Sequence, residues 1–169
     1  RRAAMTYQKD DVELNRLREN FLAIGMAKVA KSAHEAYDLN ILEHGKDIVV
    51  VSRDRQLAIA KQHAKLMADN GYSQPVKTND IKVLGRQALG AFLVGTDQMK
   101  AGRYISEHDQ KIANKLAYVM SGGDLSEANH VSEQYLLDLE REAFLSLCGE
   151  RKTLERLQHM IKKGKPLRN

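Results

Sequence analysis

Along most of the chain, apolar positions recur three and four residues apart, the spacing of helices that bury one face. Over residues 11–27, Val12, Leu14, Leu17, Phe21, Leu22 and Ile24 stand among charged side chains and predict an amphipathic helix. In the stretch SAHEAYDLNIL, Ser32 and Glu35 have the S-x-x-E spacing of a capping box. There the serine oxygen accepts from an early backbone N–H, and the glutamate reaches back to the serine N–H. Asn40 tolerates the left-handed conformation that ends such a helix, so the element is very short. The pattern changes at residues 47–52, DIVVVS, where three valines and an isoleucine run without alternation and predict a buried strand.

Ser52 or Asp54 opens the next helix, with Leu57, Ala60, Ala64, Met67 and Ala68 on one side and Gly71 as its stop. Residues 71–78, with Pro75, form the clearest boundary, and only helices are expected beyond it. Asn79 or Asp80 opens one reaching Met99, although Gly85, Gly90 and Gly95 each weaken it by about 1 kcal/mol relative to alanine. Ser106 with Asp109 begins another, in which Ile112, Leu116, Val119 and Met120 face one way and Gly122 and Gly123 end it. Ser132 starts a third, carrying Leu136, Leu139, Ala143, Phe144 and Leu147 as far as Gly149. Thr153 starts the last, which Gly164 and Pro166 terminate. The expected fold class is mainly α with one short strand near residues 47–51, divided into segments 1–74 and 75–169.

Charge changes this picture in one place. The tail from Arg151 to Asn169 holds seven Lys or Arg and one acid, Glu155, whereas the other 150 residues carry 20 bases and 21 acids. The net charge of +5 therefore lies wholly in the tail. A duplex-binding domain spreads cations over a face, and a single-strand binder interleaves aromatics. With aromatics at 5% and no tryptophan, a local site for one multiply charged ligand fits better. A length of 169 residues allows one sizeable core. No run approaches about 18 apolar residues and no leader pattern is present, so a cytosolic home is expected. The lone Cys148 forms no intrachain disulfide and agrees with a reducing compartment. The chain opens on Arg1 and Arg2 without methionine, from which a piece of a longer polypeptide is expected.

Candidate chemistry is sparse. One cysteine and six histidines give no metal-ligand set. Glu155 and His159 share a helical face, but two ligands are too few, and a solvated hydrogen-bonding pair is the better reading. Cys148 has no base nearby in sequence and falls beside an apolar stripe, which favours packing over nucleophilic chemistry. Gly85, Gly90 and Gly95 match no phosphate-binding fingerprint, and close helix packing is their expected purpose. Glu140 stands out, because at about 100° per residue it falls inside the arc of Leu136, Leu139, Ala143, Phe144 and Leu147. A carboxylate there needs a basic partner or a proton, so a structural ion pair is expected, with general acid or base chemistry as the alternative.

Two groups of stretches carry a resemblance. AKVAKSAHEAYDLNIL, the valine run and RDRQLAIAKQHAKLMADNGY resemble the second half of a crotonase (enoyl-CoA hydratase) domain. GRYISEHDQKIANKLAYVMSGGDL and VSEQYLLDLEREAFLSLCGERKTLERLQHMIKKGKPLRN resemble the C-terminal region of bacterial 3-hydroxyacyl-CoA dehydrogenases that carry a crotonase module. The resemblance implies a parent of fatty-acid β-oxidation, in which one module hydrates a 2-enoyl-CoA and another oxidises the 3-hydroxyacyl-CoA with NAD. It implies that the oxyanion N–H groups, the family glutamates and the NAD fingerprint lie upstream. No catalytic residue is therefore carried over, Glu140 matches neither family glutamate, and no cofactor is expected within this chain. Asn40 departs from the glycine common in the family.

The resemblance also implies that the C-terminal helices cover an acyl-CoA site and join subunits, with Lys162, Lys163, Lys165 and Arg168 near the CoA phosphates. The plainer reading of those cations is a solvated helix end, where positive charge complements the helix dipole. The chain alone is expected to be inactive. Strands to pair with residues 48–51 are missing, so an exposed edge and self-association are expected. The expected partners are the upstream modules, acyl-CoA and a second copy, with no membrane and no nucleic acid. The rivals are a non-enzymatic helical module that binds nucleic acid through its tail, and an independent enzyme built around Glu140.

Overall fold

The structure, a computed structural model, describes Ala4, Tyr7 and residues 12–77 and 79–169. It contains two compact units, Val29–Lys77 and the remainder. The chain is mainly helical, as the periodicity predicts.

In the larger unit, α1 (Glu13–Gly25) precedes β1 (Ile81–Val83), α4 (Gly85–Ala101), α5 (Glu107–Ser121), β2 (Asn129–Val131), α6 (Glu133–Cys148) and α7 (Arg151–Lys163). The caps predicted at Ser106 and Ser132 form, whereas Asn79, Asp80 and Thr153 cap no helix. Ser106 accepts from the Asp109 N–H while the Asp109 carboxylate accepts from the Ser106 N–H, and Ser132 accepts from the Tyr135 N–H. Leu17 and Phe21 of α1 pack with Ala88 and Phe92 of α4 and Ala117 of α5, and the Phe21 and Phe92 rings stack at 4.6 Å. Apolar burial at this spot joins α1 to helices far along the chain. The buried Thr96 hydroxyl lies 2.9 Å from the Leu93 carbonyl and 2.6 Å from Asn114 Oδ1, which ties α4 to α5.

A strand, β1, replaces the first part of the helix expected from Asn79 or Asp80, and a second, β2, forms where only helices were expected. β1 pairs antiparallel with β2, Ile81 opposite Val131 and Val83 opposite Asn129. Ile81 and Val83 are buried and Lys82 points outward to Glu13 at 2.6 Å. This alternation of period two is that of a half-buried strand, and the helix begins only at Gly85. Gly85 has φ +65°, and a Cβ there would stand 2.5 Å from the Glu127 carbonyl oxygen. Gly90 and Gly95 have nothing within 4 Å of an added Cβ, so the close helix packing expected of all three glycines does not occur. Of these three glycines only Gly85, at the strand–helix junction, is closely approached.

The smaller unit holds α2 (Ala33–Asp38), one 3-10 turn (Arg53–Arg55) and α3 (Gln56–Asp69). Ser32 accepts from the Glu35 N–H as expected, but the Glu35 carboxylate accepts from the Lys31 N–H and not from that of Ser32. Asn40 and Gly71 take the left-handed conformations predicted for helix ends. Tyr37 stacks on His44 and donates to the Asp47 carbonyl at 3.0 Å, while the Asp47 carboxylate accepts from the Glu43 N–H.

The strand predicted at residues 47–51 does not form. Ile48 and Val49 are about half exposed and Val51 is fully so, because a strand needs a neighbour for its backbone groups and none pairs with this run among the described residues. The run borders a groove of about 350 Å³ with Ile59, Ala60 and His63 of α3. α3 itself buries no residue fully.

Candidate functional site

The charged tail is built on α7. Its inner side carries Thr153 and Arg156. Thr153 is buried, with its hydroxyl 3.0 Å from His108 Nε2, and the Arg156 guanidinium donates to Asp109 at 2.7 Å. These contacts fasten α7 to the first turn of α5. Lys111 and Glu150 add an ion pair of 2.6 Å beside them. The helix starts at Arg151, two residues before the Thr153 predicted, and stops at Gly164, whose φ of +64° favours glycine.

Beyond Gly164 the chain turns back along α7. The Asn169 amide donates to Glu155 at 2.7 Å and to the Lys152 carbonyl at 3.3 Å, and Arg156 Nε donates to Asn169 Oδ1 at 2.8 Å. Arg156 therefore spends its planar fork on two partners, Asp109 on one side and Asn169 on the other. Burial resists ionisation of Asp109, but hydrogen bonds from Arg156 and Ser106 outweigh it and hold the carboxyl below its ordinary value. Burial, aided by the Arg156 charge, likewise lowers the His108 pKa.

Lys162, Lys163, Lys165 and Arg168 are all exposed, and none has an ion pair among the described residues. The tail's one acid is already engaged, since Glu155 accepts from Arg151 and Asn169, and these bonds lower its pKa. Leu154, Leu157, Met160 and Ile161 are exposed on the same helix. The arrangement places uncompensated cations beside an apolar strip, which suits an amphipathic ligand with several negative charges.

The other singled-out residues assemble less. Glu140 is exposed rather than sunk in the apolar arc. It lies at the rim of a groove of about 510 Å³ between α5 and α6, with Ile112, Leu116, Phe144 and Leu147, because the arc borders an open groove. No ion pair of Glu140 occurs among the described residues, so the expected partner is absent. Cys148 is half-buried and free. Glu155 bonds to Arg151 and Asn169 and not to His159, and the described residues contain no metal-binding cluster. Sequence reasoning misses Arg156, Asn169 and His108 and reads Asp109 and Thr153 only as helix starts, because no local pattern marks contacts between residues this far apart.

Similarity to known proteins agrees with the 3-hydroxyacyl-CoA dehydrogenase part of the resemblance. The chain is 51% identical over 156 residues, 92% of its length, to the Bacillus subtilis protein named "Probable 3-hydroxyacyl-CoA dehydrogenase". It spans 20% of that relative's length. No family model matches the chain, and no solved structure matches it. No helix among the described residues is long and apolar enough to cross a membrane.

Proposed function

We propose that this chain is the C-terminal part of a cytoplasmic 3-hydroxyacyl-CoA dehydrogenase of fatty-acid β-oxidation that also carries a crotonase-type hydratase module. The identity of 51% along 92% of the chain supports the dehydrogenase part of this reading, and the crotonase part rests on the resemblance of residues 27–72. NAD and the reactive groups belong to the upstream modules, and the chain alone is inactive. Residues 1–74 complete the crotonase-like core, and residues 75–169 cover the acyl-CoA site and join subunits. Lys162, Lys163, Lys165 and Arg168 contact the CoA phosphates; their exposure and lack of counter-ions support that role. The exposed Val29, Val51 and Leu57 of the smaller unit support self-association of the isolated chain.

The test is turnover by the full-length protein. It oxidises a 3-hydroxyacyl-CoA with reduction of NAD and hydrates a 2-enoyl-CoA, whereas the chain alone does neither. A folded full-length protein that leaves 3-hydroxyacyl-CoA untouched overturns the reading. Tight, salt-sensitive binding to random duplex DNA, with no affinity for CoA, would favour the nucleic-acid module instead.

A further inference from the structure

We propose that Arg156 and Asn169 are positioning residues, which lock the tail alongside α7 so that Lys165 and Arg168 form one fixed phosphate-binding surface with Lys162 and Lys163. The inference rests on the reading of the tail as a CoA contact and deepens it. Its basis is geometric. From Gly164 back to Glu155 is nine residues of helix, a rise of about 13 Å. Five residues, from Lys165 to Asn169, must cover that return, and fully extended they reach only about 17 Å.

With Asn169 anchored on Lys152, Glu155 and Arg156, little slack is left, and the intervening side chains have defined places. Arg156 is only 19% exposed, and its second bond, to Asp109, fastens α7 to α5 without holding the tail. Flexible cations lose conformational freedom on binding a polyphosphate. Cations already held in place lose less, so anchoring strengthens binding without adding a contact.

The lock is separable from the charges it arranges. Arg156→Lys preserves the charge but lacks the fork needed for both partners. Asn169→Ala removes the three side-chain bonds of the anchor, leaving only the 3.3 Å bond from Arg156 to the residue 169 carbonyl, and keeps the Arg156–Asp109 bond intact. Asp109→Asn weakens the α5 side while Asn169 stays on α7. CoA affinity is measured calorimetrically on the full-length protein, alongside Tm and the KM and kcat for 3-hydroxyacyl-CoA.

Arg156→Lys and Asn169→Ala should raise the CoA Kd and the KM by about three- to ten-fold, with kcat unchanged. Asp109→Asn should lower Tm and leave Kd within about two-fold. The variant with Lys162, Lys163 and Lys165 changed to Gln and Arg168 changed to Gln supplies the reference. If it loses CoA affinity while Arg156→Lys and Asn169→Ala bind normally, the lock is refuted and the tail reading stands. If it binds CoA normally, both are refuted. A loss of affinity in Asp109→Asn as large as in Asn169→Ala would reduce the lock to a general folding contact and also overturn it.

Discussion

Gly122 ends α5 at φ +85°, and an ideal Cβ built there would stand 2.5 Å from Val83 Cγ2 and 2.7 Å from Val83 Cβ. Val83 is the last residue of β1 and is buried, so it has little room to withdraw. Gly122→Ala therefore adds two costs. Left-handed backbone at a residue with a Cβ costs about 1–2 kcal/mol, and forcing a methyl into a filled site costs about 1–3 kcal/mol more. Lower entropy of the unfolded chain returns about 0.4–1 kcal/mol.

The expected loss is about 2–4 kcal/mol, equivalent to a fall in Tm of roughly 5–15 °C for a chain of this size. Gly164→Ala is the matched control, since it has φ +64° but nothing within 4 Å of the added methyl. It should cost about 1 kcal/mol or less, because only the backbone penalty applies. Thermal unfolding followed by circular dichroism measures both. Equal Tm losses in the two variants would show that Val83 does not pack on Gly122 and would refute the placement of β1 against the end of α5.

That contact also shows why the sequence revealed only part of the fold. Helices are legible where a cap and a stripe coincide, as at Ser106 and Ser132, and at Ser32 from the cap alone, because these signals are local. β1 and β2 have three residues each and pair across a long separation. Three residues are too few to display a period, so Ile81–Val83 was absorbed into the following helix. The valine run failed for the opposite reason. Its apolar character is real, but strand formation depends on a neighbour that the local sequence does not encode.

Of the candidate site, charge counting located the basic tail, and the family resemblance singled out Lys162, Lys163, Lys165 and Arg168 within it. The Arg156 fork depends on Asp109, Asn169 and the reversal at Gly164, which no spacing rule predicts. Glu140 was misplaced because a helical wheel identifies a face without saying whether another element covers it.

Thr96→Val should destabilise the larger unit by about 1–3 kcal/mol, because Asn114 Oδ1 loses its buried hydroxyl partner, and chemical denaturation will show whether it does. Acidification should act in two stages. His108 has a lowered pKa when folded, so its unfolded form takes up a proton first, and stability present above about pH 6.5 declines below it. Asp109 is also lowered when folded, so its contribution is complete above about pH 4 and is lost as the pH falls through the folded value. His108→Gln should remove the first stage of the Tm–pH profile and leave the second; a profile that keeps its first decline would contradict the assignment.

The proposed grip of the tail cations on the CoA phosphates separates two ligands that differ in those phosphates. Calorimetric titration of CoA and of pantetheine, which lacks the phosphates, into the full-length protein and its four-charge tail variant tests this most directly. The account predicts that neutralising the tail weakens CoA by roughly ten-fold or more and leaves pantetheine unchanged. Equal CoA affinity in the two proteins would contradict it.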